Sequence, residues 1–130
     1  MKNRSLKIVI VDDNTDYLFT MKTFLSRNGY EVATAPNGKK GVELILEVKP
    51  DLIMLDVMME TTFSGFEVCR QVRNNAVLKD IPIIAITGME DEIGIKFDRD
   101  KDSEYFTPDA TFDKPVDKEA LLKTIKDLLS

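Results

Sequence analysis

Short apolar runs alternate with amphipathic stretches along the whole chain. Leu6 to Val11 is a nearly continuous apolar run of strand length, the pattern of a strand covered on both faces. Asp12-Asp13-Asn14-Thr15 follows, with turn and N-cap chemistry. Leu18, Met21, Phe24 and Leu25 then recur at three- and four-residue spacing, which predicts a helix. Asn28-Gly29 stops it, Gly29 being suited to a left-handed cap. Tyr30 to Ala35 reads as a second strand. Gly38 to Lys49 reads as a second helix, with Val42, Ile45 and Val48 on one stripe and Pro50 at its end. Leu52-Ile53-Met54-Leu55 is a third buried strand, ending at Asp56. Residues 57–64 read as a loop, and a third helix runs from about Gly65 to Arg73 or beyond. Ile81 to Ile86 is a fourth strand with Pro82 near its start, ending at Thr87-Gly88. The charged stretch from Met89 to Pro108 holds one helix around residues 90–97 and then a polar loop. Ala110-Thr111-Phe112 is a short fifth strand before Asp113-Lys114-Pro115. The last helix starts near Asp117, with Leu121, Leu122, Ile125, Leu128 and Leu129 as its apolar face. Five successive βα units imply a parallel sheet with helices on both faces.

Composition narrows the function. A chain of 130 residues, 43% apolar and 32% charged, fits one soluble domain with a real core. It has no internal repeat beyond the alternation, no low-complexity segment and no linker. The apolar run near the N-terminus ends at Asp12, too short for the core of a signal peptide, and no stretch reaches the roughly 18 apolar residues of a membrane span. The expected location is the cytoplasm. A net charge of −5 disfavours non-specific nucleic-acid binding, which needs clustered Lys and Arg. The absence of His excludes His-based triads and His metal sites, so any phosphohistidine must come from another protein. The single cysteine, Cys69, cannot form an intrachain disulfide; it reads as a small, semi-buried helix residue.

The polar residues that interrupt the pattern fall at related places. Asp12 and Asp13 follow strand one, Asp56 strand three, Thr87 strand four and Lys114 strand five. In a parallel sheet these ends share one edge, where open α/β folds bind ligands. Each residue alone has a bland explanation as a cap, a turn, a strand end or a solvated cation. Together they do not, because independent caps have no reason to share an edge. Three clustered carboxylates repel one another unless a cation sits among them. Hard oxygen ligands with open positions suit Mg²⁺, which keeps waters and then accepts phosphate oxygens. Lys114 can neutralise a further phosphate oxygen, Thr87 and the Gly88 amide can donate to another, and a carboxylate can serve as nucleophile. The set suits in-line phosphoryl transfer.

The segments Val9-Ile10-Val11-Asp12-Asp13-Asn14, Leu52 to Met59, Ile83-Ile84-Ala85-Ile86-Thr87-Gly88 and Phe112-Asp113-Lys114-Pro115 resemble, in order and over nearly the whole chain, the receiver domains of two-component response regulators. The resemblance implies a flavodoxin-like, doubly wound five-stranded parallel sheet of order 2-1-3-4-5, as a single receiver domain over residues 1–130 without an effector domain. It leaves open whether the domain acts alone or is the receiver piece of a longer protein. It implies Asp56 as phosphoacceptor. It assigns Mg²⁺ to Asp13 directly, to Asp12 through water, to Asp56 and to the backbone carbonyl of Met58. Thr87 would bond the phosphoryl group and draw its loop inward. Gly88 would contact the group through its backbone, and Lys114 would pair with it, its bond to Pro115 being cis in the family. The domain is expected to catalyse only its own phosphorylation and autodephosphorylation. Its partners would be a sensor histidine kinase or phosphotransfer protein and a downstream protein or effector domain, with a phosphorylation-linked dimer as a further arrangement. No nucleic acid or membrane is expected to be bound directly. Output would run through the fourth helix, fifth strand and fifth helix.

Three departures from the family pattern stand out. Glu60 occupies the place of a usual Pro, and the loop Thr61-Thr62-Phe63-Ser64 is one residue longer before Gly65. Thr111 stands where the family often has Tyr or Phe, and strand alternation sends Phe112 to the opposite face, toward the core. The span from Thr87 to Lys114 is a few residues longer and carries the charge run Asp98-Arg99-Asp100-Lys101-Asp102, read as a solvated loop or a docking surface. Phe97, Tyr105 and Phe106 are expected to anchor that loop. Met58 and Met89 border the path of the hydrolytic water, which implies slow dephosphorylation. The same residues bear on three rival readings. A haloacid dehalogenase-type phosphatase needs Asp, one residue, then Asp, whereas Asn14 follows Asp12 two places on. A flavodoxin-like electron carrier needs a Ser/Thr/Gly-rich phosphate loop where Asp12-Asp13 stand. A receiver-like interaction module that is never phosphorylated would keep its partner response on Asp56→Asn.

Overall fold

The computed structural model describes residues 6–56, 64–87, 108–113 and 116–130, with backbone alone at 64–66 and 87. The elements are β1 (Lys7–Val11), α1 (Thr15–Arg27), β2 (Glu31–Ala35), α2 (Gly38–Val48), β3 (Leu52–Asp56), α3 (Ser64–Arg73), β4 (Ile83–Thr87), β5 (Ala110–Asp113) and α4 (Lys118–Leu129). The sheet order is β2-β1-β3-β4-β5 and every pairing is parallel. The helix expected around residues 90–97, the charge run after it and the loop from Val57 to Phe63 lie outside the described residues.

Period-two alternation splits the strands between two cores. Val9, Val11, Ile53, Leu55, Ile83 and Ala85 pack with Ile45 of α2 and with Val68, Cys69 and Val72 of α3. Ile8, Ile10, Leu52, Met54, Ile84 and Ile86 pack on the other face with Leu18, Met21 and Leu25 of α1 and Leu121 and Ile125 of α4. All of β3 is buried, so its run shows no polar face. Each large aliphatic side chain buried in this way contributes about 1.5–3 kcal/mol. Cys69 is fully buried rather than semi-buried, because the α3 stripe of Val68, Cys69 and Val72 faces the sheet. Phe112 packs against the α1 and α4 core as alternation requires, though only half-buried on the edge strand.

Side-chain caps set the helix starts. Asn14 accepts from the Tyr17 amide at 3.0 Å, Asn37 from Lys40 at 2.8 Å and Asp117 from Glu119 at 3.0 Å. At the C-terminal end of α1, Gly29 takes a φ of 95°. Pro50 bars Lys49 from continuing α2, and the chain turns with Lys49 left-handed at φ 50°. β4 begins at Ile83 rather than Ile81. The Ile81 amide is spent on Leu78 in a preceding turn, and Pro82 has no N–H to give, although its carbonyl accepts from Ile53 at 3.0 Å. Arg73 ties this region to β5. It donates to the carbonyls of Lys79 and Ile81 at 2.7 and 2.9 Å and to the Asp109 carboxylate at 2.9 Å, and that carboxylate also accepts from the Ile83 amide at 2.8 Å.

Candidate functional site

The C-terminal ends of β1 and β3 lie side by side, because Val11 pairs with Leu55. The next residues of the chain are therefore neighbours: Asp12 and Asp13 beyond β1, and Asp56 as the last residue of β3. One carboxylate oxygen from each of the three lies within 4.8 Å of the others. Asp12 and Asp56 are only 1% and 4% exposed, while Asp13 faces solvent. The Asp12 carboxylate accepts from the Asn14 amide at 2.9 Å, and its own amide donates to the Ala35 carbonyl at 3.1 Å.

At an effective dielectric of about 20, two unit charges at the 4.8 Å limit repel by about 3.5 kcal/mol. Three such pairs, each with at least one buried carboxylate, call for a counter-charge. The donors are all hard oxygens, one side of the cluster is open, and the set fits a small divalent cation such as Mg²⁺ better than a soft or imidazole-seeking metal.

The other expected site residues are placed as far as the described residues reach. Thr87 ends β4, one residue beyond Ile86, the partner of Asp56, and thus on the same sheet edge. Its register partner in β5 is Asp113, the residue before Lys114. Met58, Gly88, Met89, Lys114 and Pro115 lie outside the described residues. Thr111 is exposed on β5, on the sheet face opposite Phe112.

Two residues that sequence reasoning left in the background belong to this corner. Tyr17, third residue of α1, has a buried hydroxyl. Burial pushes its phenol from 10.0 up to about 12, with the negative charges of Asp12 and Asp56 adding to the effect. Gly41 lies in α2 beneath the end of β1, where a Cβ would stand 2.8 and 2.9 Å from the two methyls of Val11. Only glycine lets the helix approach the strand that carries the carboxylates. A Tyr three residues into a helix after paired Asp was the available signal for the first; nothing local signals the second.

Comparison with known proteins agrees with this geometry. The sequence matches the family described as the response regulator receiver domain over residues 8–126. It is 34% identical over 125 residues to Protein PilH of Pseudomonas aeruginosa, covering 95% of this chain and 98% of that protein. It spans 37%, 50% and 48% of three longer regulators that it also matches. The crystal structure of the chemotaxis protein CheY4 of Vibrio cholerae is similar at TM-score 0.82 and 27% identity, over 97% of this chain and 100% of that one. The receiver domain of the sensor histidine kinase PA1611 from Pseudomonas aeruginosa PAO1, described with a magnesium ion coordinated in its active site cleft, shares the fold at TM-score 0.82 and 21% identity, over 97% of this chain and 98% of that one. The chain belongs to the response regulator receiver domain family and is a signalling domain of two-component systems.

Proposed function

We propose that this domain is a phosphorylation-dependent switch whose phosphoacceptor is Asp56. The observation that carries the reading is the buried carboxylate of Asp56 at a sheet edge, with Asp12 and Asp13 within 4.8 Å. A carboxylate oxygen of Asp56 forms the new bond to phosphorus as the bond to the nitrogen of the partner's phosphohistidine breaks. The leaving imidazole takes up a proton. Because the chain has no His of its own, the donor is a sensor histidine kinase or a phosphotransfer protein. Water attack on the same phosphorus returns Asp56 to its resting form, so the domain acts only on itself.

Asp12, Asp13, Asp56 and the backbone carbonyl of Met58 would hold Mg²⁺. When bound, the ion neutralises the carboxylates and attracts phosphate oxygens. Thr87 donates to the phosphoryl group, the Gly88 amide donates beside it, and Lys114 pairs with its charge. The dianion favours the conformation in which Thr87 and Lys114 are drawn toward it, which shifts an existing equilibrium. We assign output to the fourth helix expected around residues 90–97 with β5 and α4. The exposure of Thr111 and Asp113 on the edge strand β5 supports that face, through which a downstream protein, an effector domain or a second copy would be met.

The reading keeps residues 1–130 as one receiver unit, supported by two cores that share a single sheet. Among the described residues no helix is long and apolar enough to cross a membrane. A histidine-kinase partner supports a cytoplasmic location, and the net charge of −5 argues against direct nucleic-acid contact. The test is intact mass after incubation with acetyl phosphate. A single phosphoryl adduct that needs Mg²⁺, is released by hydroxylamine and is missing in Asp56→Asn supports the switch. An unmodified wild type with Mg²⁺ bound identifies a non-phosphorylated interaction module instead.

A further inference from the structure

Tyr17 is tied to the acidic cluster by its backbone. The Asp12 carboxylate accepts from the Asn14 amide at 2.9 Å, and the Asn14 side chain accepts from the Tyr17 amide at 3.0 Å. The next amide, of Leu18, donates to the Asn14 carbonyl at 3.0 Å. Two short bonds thus fix the root of Tyr17 relative to Asp12. The ring packs beside the α1 and α4 core, where Leu18 and Met21 hold the same turn of helix, and its hydroxyl oxygen is buried. Tyr17 stands in the first turn of α1, which opens at the sheet edge where Asp12 follows β1 and Asp56 ends β3. A tyrosine phenol is protonated at neutral pH and is a hydrogen-bond donor.

We infer that Tyr17 is a further phosphoryl-contacting residue of this site, its buried hydroxyl donating a hydrogen bond to the phosphoryl group carried by Asp56. This rests on the proposal that Asp56 is the phosphoacceptor. A neutral donor suits the position because it adds no charge to the cluster at rest. It gains value when a dianion arrives, since hydrogen bonds to charged acceptors are roughly twice as strong as neutral ones. A rigid ring with two rotatable bonds also loses little freedom in making the contact.

The experiment uses the full chain and Tyr17→Phe, which removes only the hydroxyl. The probes are Mg²⁺ alone and beryllofluoride with saturating Mg²⁺, the latter standing in for the phosphoryl group on Asp56. Bound beryllofluoride is followed by its fluorine resonance. The expected result is a roughly tenfold weaker beryllofluoride affinity in Tyr17→Phe, with Mg²⁺ affinity within about twofold of wild type. Equal beryllofluoride affinity in the two proteins overturns the inference and leaves the switch standing. Equal weakening of both ligands also overturns it, because Tyr17 would then act on the carboxylates alone. A wild type that binds Mg²⁺ but no beryllofluoride overturns the phosphoacceptor reading, and this one with it.

Discussion

Gly41→Ala is the sharpest test of how α2 is set against β1. Two effects oppose each other. In a helix interior, Ala is favoured over Gly by about 1 kcal/mol. Against that, the new Cβ would meet the Val11 methyls at 2.8 and 2.9 Å and its Cβ at 3.4 Å. Val11 cannot easily yield. It is fully buried, β-branched and stiff, and its backbone is paired with Ala35 on one side and Leu55 on the other. Overpacking of this kind costs about 1–3 kcal/mol. The overpacking wins by about 1 kcal/mol, which lowers Tm by about 3–5 °C for a domain of this size. Urea unfolding of wild type, Gly41→Ala, Val11→Ala and the double variant isolates the contact. In the Val11→Ala background the added methyl has room, so Gly41→Ala should stabilise by up to about 1 kcal/mol, giving a coupling of about 1–2 kcal/mol. Because Val11 leads directly into Asp12 and Asp13, the single variant should also bind Mg²⁺ more weakly. A Gly41→Ala protein more stable than wild type, with no coupling to Val11, would show that Val11 does not hold α2 at this distance.

Other consequences follow from the same structure. In EDTA, Asp56→Asn should be more stable than wild type by about 1–3 kcal/mol, less than the two relieved repulsions because water screens exposed Asp13. Mg²⁺ at about 100 times its dissociation constant should stabilise wild type by about 2.7 kcal/mol and the variant by less, narrowing the gap; thermal unfolding with and without the ion checks both. Lys49→Gly should raise stability by about 0.5 kcal/mol, since it removes a left-handed penalty of about 1–2 kcal/mol and adds unfolded-chain entropy of about 0.5–1 kcal/mol. A lower Tm would count against the left-handed turn. Tyr17, raised to about 12, keeps its proton in the folded state after the unfolded chain has lost it near 10. Stability should therefore fall as pH rises from about 10 to 12. Tyr17→Phe should flatten that fall in urea titrations made across the range, and an unchanged slope would contradict the placement of the phenol.

The sheet was legible because burial writes itself into period two and the helices into three- and four-residue spacing. Asp12, Asp13 and Asp56 stood out because each ends a run that is otherwise apolar, and parallel topology then brings such ends together. What stayed illegible depended on distant partners. Gly41 reads as a weak helix former until Val11 is seen against it. Arg73 marks only the rough end of a helical pattern, yet it is joined to Asp109 across 36 residues. Ile81 reads as strand, but its amide is drawn into the turn closed by Leu78. Tyr17 sits between the apolar positions of α1, and only the folded chain shows that the charges of Asp12 and Asp56 act on it.

The most direct test of the switch is to locate the phosphoryl group. The protein is incubated with acetyl phosphate and Mg²⁺, reduced with borohydride so that an aspartyl phosphate becomes homoserine, digested and sequenced by mass spectrometry. Conversion is expected at Asp56 alone, with none when EDTA replaces Mg²⁺. Conversion at another aspartate, or none at all in protein shown to hold Mg²⁺, would contradict Asp56 as the phosphoacceptor.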